Sequence, residues 1–333
     1  MTQPLGSSPV SVSRLGFGAA SLGNLYRAID DDQADDTVAA AWRVGVRYFD
    51  TAPHYGLGLS EERLGAALRA YPRAEYTLST KVGRLLVPGG EESDLANGFD
   101  TPATHHRVWD FSADGVRRSL EASLTRLGLD HIDIVLMHDP DASDQPERAV
   151  SEAYPALDEL RRDKVIGAIG VGSKDVPTLL RFATETDVDA LMIAGRYTLL
   201  EQPALDAVLP ACSARGISVL NAGIFNSGLL ATDWPDASRP YEYGAAPPEV
   251  VRRAQAIAAC CRAHGVALPH AAIAFAGAHP AIASVVVGAG RPSHIEAGGA
   301  WQAAPLPDGL WRDLRERGLL RADAPVPGPA VTS

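Results

Sequence analysis

Two hydrophobic periods alternate along the chain. Short runs, apolar on consecutive positions and rich in β-branched and aromatic residues, begin at Leu15, Val46, Tyr76, Ile132, Val165, Ala190, Ile217 and Ile282. They read as strands. Between them, apolar residues return every three or four positions: residues 30–44, the turn-and-helix carrying Leu64 and Leu68, the stretch after Ser112, and residues 150–160, 176–183, 203–213, 249–261 and 269–277. These read as amphipathic helices, with Ser60, Ser112 and Asp175 placed as N-caps. Several strands are apolar on both faces, as in a buried parallel sheet. Eight such strands alternating with helices predict an α/β fold of the (β/α)8 TIM-barrel class. With no linker or shift in composition, residues 1–321 are expected to form one domain. Residues 322–333, rich in Pro and Ala, are expected to form a disordered tail. Residues 86–110 and 223–247 lack periodicity and each follow a strand, as long active-site loops would.

Composition narrows the function without naming it. The chain has 333 residues, 46% hydrophobic and 21% charged, enough to bury a large core. Its net charge of −11 argues against a nucleic-acid binder or an anionic-membrane binder, both of which need a basic footprint. No uninterrupted apolar run approaches a membrane span. Three cysteines form no disulfide framework, and no signal-peptide succession is visible, so a cytoplasmic enzyme is expected.

Chemistry enters at the strand ends, which converge on one mouth in a barrel. Asp50, Lys81, His138 and Ser173 stand at such ends, and Tyr55 lies on the loop after Asp50. A tyrosine, with an ordinary pKa of about 10, is a poor acid or base at neutral pH. A neighbouring ammonium favours its ionised form. On this basis Lys81 is expected to make Tyr55 acidic, Asp50 to hold Lys81, and His138 to orient a substrate oxygen.

Phe49-Asp50-Thr51-Ala52 with Tyr55-Gly56 and Ser60-Glu61, the strand ending at Lys81, and Leu136-Met137-His138 resemble the aldo-keto reductase family from about Arg14 to Ile295. The resemblance implies that Asp50, Tyr55, Lys81 and His138 form the catalytic tetrad, with Tyr55 as the acid/base. Residues 47–61, His138-Asp139-Pro140-Asp141, residues 194–202 and Phe225-Asn226-Ser227-Gly228 are similar to the branch of that family containing aldose 1-dehydrogenases and pyridoxal 4-dehydrogenases. That branch oxidises cyclic hemiacetals to lactones. The implied activity is oxidation of an aldopyranose of the L-fucose (D-threo-aldose) type at C1. Oxidation of pyridoxal to 4-pyridoxolactone and NADPH-dependent aldehyde reduction stand as alternatives. A non-catalytic nucleotide-binding barrel is the alternative from another class.

The resemblance also implies a nicotinamide cofactor, with Gly18, Asp50, Ser173, Gly288, Gly290, Arg291 and His294 as its contacts. Several positions depart from the family pattern. Gly172-Ser173 stands for a Ser-Asn pair, Ala194 for a Gln, and Ala222 for a Tyr that stacks on the nicotinamide. Gly288 and His294 replace the Lys and Arg that surround the adenosine 2′-phosphate in NADP-preferring relatives. Losing two fixed cations points to NAD, with NADP accepted where Arg291 compensates. His54, Trp109 and Phe225 are the substrate candidates. Trp234, Tyr241 and Tyr243 read either as packing residues of their loop or as a cover over cofactor or substrate, and Trp234 joins Trp109 and Phe225 as a stacking candidate for pyridoxal. His105-His106 lacks the spacing of a metal site, and no metal is assigned.

Overall fold

The computed structural model describes residues 2–90, 92–242 and 244–328; Tyr243 and residues 329–333 lie outside them. Eight parallel strands close into a barrel in simple sequential order. They are β1 (Leu15–Gly18), β2 (Tyr48–Asp50), β3 (Thr77–Val82), β4 (Ile132–His138), β5 (Ile166–Ser173), β6 (Ala190–Ala194), β7 (Ser218–Ala222) and β8 (Ile282–Gly288). Each begins within two residues of the start expected from its apolar run.

The outer layer contains α1 (Asp31–Arg43), α2 (Leu59–Leu68), α3 (Ala113–Leu127), α4 (Tyr154–Arg162), α5 (Val176–Glu185), α6 (Val208–Arg215), α7 (Pro248–Ala263), α8 (Leu268–Ala276), α9 (Pro292–Ala303) and α10 (Asp308–Glu316). Local chemistry fixes their starts. Asp30 accepts from the Gln33 N–H, Ser112 from Gly115 and Asp175 from Thr178, each satisfying one orphan donor of a first turn. Two hydrophobic layers result. The larger lies between strands and helices and includes Phe17, Phe49, Leu64, Leu120, Ile169 and Phe182. The smaller fills the barrel itself with Tyr48, Ile134, Leu136, Ala168, Met192 and Leu220. Among the described residues, no single helix is long and apolar enough to cross a membrane.

Some expectations are corrected. Ser60 is not the cap of α2. The helix starts one residue earlier, behind Gly58 at φ 94°. Ser60 Oγ instead donates to the Ala19 carbonyl and meets Thr51 Oγ1 at 2.8 Å, tying the helix to the loops after β1 and β2. The segment 86–110 is not irregular throughout: Arg84–Pro88 pairs antiparallel with His105–Trp109. A long interruption separates these strands, so no two-residue turn announces them. His105 and His106 lie in this hairpin, where the rings meet Thr104 Oγ1 and the Gly89 carbonyl. Residues 203–213 divide into a short 3₁₀ turn at Pro203–Leu205 and α6. At the C-terminal end, Ala324 is buried and its carbonyl accepts from Arg315 Nη2.

Candidate active site

Register brings the expected residues together. Asp50 ends β2 and pairs with Gly18 of β1 on one side and Ser79 of β3 on the other. Lys81 lies one pleat beyond Ser79 and pairs with Leu136 of β4, the strand that ends at His138. Lys81 Nζ donates to both Asp50 oxygens, at 2.9 and 2.7 Å, to the Thr51 carbonyl at 2.9 Å, and to Tyr55 Oη at 3.1 Å. The ammonium thus links carboxylate and phenol in a site where Asp50 and Lys81 are each 2% exposed. The Tyr55 and His138 rings meet edge-to-face at 5.8 Å.

The electrostatics differ from the sequence expectation in one respect. Burial raises the Tyr55 pKa and outweighs the lowering by Lys81; Asp50 and Asp139 raise it further. Asp50 offsets the ammonium that was expected to make the phenol acidic, so Tyr55 stays protonated at neutral pH. Lys81 is the reverse case: burial opposes its charge, but Asp50 and Tyr55 prevail and keep it a cation.

His54 joins this group. Its ring lies 5.5 Å from that of His138 and 5.3 Å from that of Phe99. Burial, Arg84, Arg107 and Lys81 push the His54 pKa down to about 2. Burial, with Arg84 and Lys81, holds His138 well below its ordinary value. Both rings are therefore neutral, and Nδ1 of each is buried without a hydrogen-bond partner. Buried polar atoms are rarely left so. Two orphaned imidazole nitrogens beside a phenol suit a ligand rich in hydroxyl groups.

Composition and spacing did not reveal the residues that enclose this pair. Arg84, at the start of the hairpin, is ion-paired with Asp139 and lies 4.4 Å over the Trp109 ring. Arg107 pairs with Asp94 at 2.6 Å and donates to the His54 carbonyl. Asp139, which as sequence resembles a solvated loop residue, is pushed up by burial despite Arg84. A hairpin of long-range pairs left no periodic signal for these contacts.

The remaining candidates divide between the rim and the core. Trp109 carries Arg84 on its ring and stacks with Phe111 at 6.0 Å. Phe225 packs against the main core. Trp234 sits under the Arg262 guanidinium at 4.6 Å. Ser173 donates to Asp141 Oδ1 at 2.5 Å and accepts from the Asp175 N–H, leaving its oxygen able only to accept further. Ala194 and Ala222 are register partners at the ends of β6 and β7. The loop after β7 crosses toward them: Glu242 receives Arg196 Nη1 at 2.9 Å and Lys174 Nζ at 2.9 Å, while Glu201 receives the Tyr241 hydroxyl and Asn226 Nδ2.

Gly18 and Gly288 are register partners, and Gly290 follows where β8 turns toward α9. A Cβ on Gly18 would come 3.3 Å from Val286 Cγ1, so a side chain is a tight fit where backbone is presented to the mouth. Arg291 precedes α9 without capping it through its side chain, and Gln33 Nε2 donates to the Gly290 carbonyl. His294 is held below its ordinary value by burial and by the guanidinium groups of Arg291 and Arg27. Arg27 is thus a second cation near this turn. An open glycine turn, an uncapped twelve-residue helix and two arginines fit a dinucleotide phosphate. Away from the mouth, Cys260, His264 and Asp313 present ligand-type atoms within 4.8 Å of one another, with His264 Nε2 already 2.8 Å from Asp313.

Residues 14–316 match the aldo/keto reductase family. The chain is 47% identical over 324 residues to a D-threo-aldose 1-dehydrogenase of a Pseudomonas species, covering 96% of this chain and 98% of that protein. It is 34% identical to a pyridoxal 4-dehydrogenase of Microbacterium luteolum, covering 95% and 97%. An aldo-keto reductase from Bacillus halodurans, 24% identical, superposes with a TM-score of 0.76 over 96% of each chain.

Proposed function

The chain belongs to the aldo/keto reductase family and is an NAD(P)-dependent oxidoreductase, and on that premise we propose that it oxidises an aldopyranose of the D-threo-aldose type at C1 to the aldonolactone. Lys81 carries this reading: its ammonium joins Asp50 to Tyr55 beside a neutral His138. The nicotinamide, when bound, supplies the acceptor for the C1 hydride. Gly18, Gly288, Gly290, Arg291 and His294 would hold the dinucleotide, with Ser173 accepting from the carboxamide.

Tyr55, as phenolate, takes the proton of the anomeric hydroxyl. Lys81 stabilises that phenolate, and Asp50 keeps Lys81 charged and in place. A neutral imidazole carries one N–H, so His138 donates a single hydrogen bond to the reacting oxygen. His54, with its unpartnered Nδ1, takes a ring hydroxyl. Because Tyr55 rests protonated, the oxidation rate should rise with pH beyond the ordinary tyrosine value. A flat profile would count against Tyr55 as base.

The similarity to a pyridoxal 4-dehydrogenase supports a second reading by the same chemistry. A flat heteroaromatic needs a free ring face. Trp109 already carries Arg84 and stacks with Phe111, Phe225 packs against the core, and Trp234, which keeps an exposed face, carries Arg262 on the other side. The polar surroundings of Tyr55 therefore favour a polyol. For the cofactor we propose NAD, with NADP accepted through Arg291 and Arg27. L-fucose, D-arabinose, L-galactose, pyridoxal and a simple aldehyde, each offered with the appropriate NAD or NADP redox form, test all of this by nicotinamide absorbance. Turnover of an aldose with NAD is expected. Turnover of pyridoxal alone, or of the aldehyde with NADPH alone, would overturn the assignment.

A further inference from the structure

Behind the tetrad, a second row of polar side chains lines the interior of the barrel and takes no part in the scheme above. Strand alternation turns Tyr48 and Asp50 of β2, and Ser79 and Lys81 of β3, to the same inward face. Tyr48 is fully buried, packed with Ile134 and Leu136. Its hydroxyl lies 2.9 Å from Ser79 Oγ, which lies 2.6 Å from Asp50 Oδ1. The direction of this chain follows from its charged end. Asp50 accepts the Lys81 ammonium on both oxygens and, as a carboxylate, has no proton to give. Ser79 therefore donates to Asp50, and Tyr48 donates to Ser79. Burial and the Asp50 charge keep the Tyr48 phenol protonated, so the polarity is fixed. Gly16 makes the room: a Cβ there would come 2.8 Å from Tyr48 Cδ1 and 2.9 Å from Ser284 Oγ.

We propose that Tyr48 and Ser79 are positioning residues that set the proton affinity of Tyr55, acting on it through Asp50 and Lys81. The inference rests on Tyr55 being the acid/base group. Two O–H dipoles in series present their positive ends to Asp50, and hydrogen bonds chained in one sense strengthen one another. They offset part of the negative potential that Asp50 casts on the phenol. The other groups facing Tyr55 are Lys81, which lowers its pKa, Asp139, which raises it, and the neutral His54 and His138. Removing the arm leaves Asp50 less compensated and makes the phenol harder to ionise.

The test uses the full chain as Ser79→Ala, Ser79→Thr and Tyr48→Phe, each with and without Tyr55→Phe. Tyrosinate absorbance is titrated in the ultraviolet, and the difference between the paired proteins isolates Tyr55. In parallel, kcat and KM for L-fucose with saturating NAD are followed against pH. Ser79→Ala and Tyr48→Phe should move the Tyr55 titration and the alkaline rise of kcat upward by about half a pH unit or more. KM should change little, and Ser79→Thr should restore the wild-type curve. A folded Ser79→Ala whose Tyr55 titration superimposes on wild type overturns the proposal. If Tyr48→Phe fails to fold, the Ser79 pair decides, and the spectroscopic arm needs no turnover. Substantial turnover by Tyr55→Phe alone would instead overturn the acid/base reading and the positioning role with it.

Discussion

Both ends of the barrel bury charge, and they handle it differently. At the N-terminal end, a wide cleft of about 1220 Å³ is lined by Arg47, Arg73, His131, Asp133, Arg161 and Asp189 among others. There the carboxylates are met twice over. Asp133 Oδ2 receives Arg73 at 2.6 Å and the Leu78 N–H at 2.7 Å; Asp189 Oδ2 receives Arg161 at 2.8 Å and the Ile169 N–H at 2.9 Å. At the C-terminal mouth, the Lys81 ammonium is shared between Asp50 and a phenol, and two imidazoles are left with unpartnered nitrogens. Room alone does not mark a site. In the wide cleft each of these carboxylates is matched by an arginine and a strand N–H, whereas at the mouth one ammonium serves both a carboxylate and a phenol, and two imidazoles of depressed pKa lack a partner at Nδ1.

Substitutions at the two ends should therefore separate activity from stability. The largest effect belongs to Tyr55→Phe, which should lower kcat for aldose oxidation by about 10²–10⁴-fold with dinucleotide binding retained, as steady-state kinetics and fluorescence titration would show. Asp189→Ala at the opposite end should leave kcat/KM near wild type yet destabilise the fold by about 2–4 kcal/mol in urea unfolding, because Arg161 and the Ile169 N–H lose a buried acceptor. If Asp189→Ala impaired turnover as severely as Tyr55→Phe, the contrast between the ends would fail.

Acid should sharpen the same contrast. His54 titrates near its ordinary 6.5 when unfolded but at about 2 when folded, and His138 is also strongly depressed. Below pH 6.5 the unfolded chain binds protons that the folded chain refuses, so stability falls as pH falls through that window. Each such histidine contributes about 1.4 kcal/mol per pH unit once its unfolded form is protonated. His54→Gln should flatten the dependence of unfolding free energy on pH between about 6 and 4, and an unchanged slope would place the acid sensitivity elsewhere. The smallest effect is expected at the α9 turn. Arg291→Ala should reduce kcat/KM for NADP several-fold more than for NAD, and equal losses would remove its role at the 2′-phosphate.

Much of the barrel was legible because strands apolar on both faces have few other places to go. The meeting of Asp50, Lys81 and His138 around Tyr55 was legible because each of the three stands at or beside the end of an apolar strand, and such ends converge in a barrel. Ser60 misled because its hydroxyl could cap a helix or bridge loops, and only the tertiary partners at Ala19 and Thr51 decide between the two. Arg84, Asp139 and Arg107 were hidden for a related reason: they converge through a hairpin whose strands are separated by an irregular stretch. The sign of the Tyr55 shift was missed because pairing residues by charge considers Lys81 alone, while burial and Asp50 act on the same phenol. Tyr48 and Ser79 could have been found, since they lie two residues before Asp50 and Lys81 on the same strands.

Gly16 gives the barrel interior a history as well as a shape. Its missing side chain is what admits the ring of Tyr48. A lineage that first exchanged Tyr48 for a small residue could then accept alanine at position 16 to fill the vacated space, provided the Ser284 hydroxyl also turned aside. From that point the return to tyrosine would be sterically barred until the alanine itself reverted. The two sites are thus entrenched in each other, and the order in which descendants change them decides which interiors they can still reach.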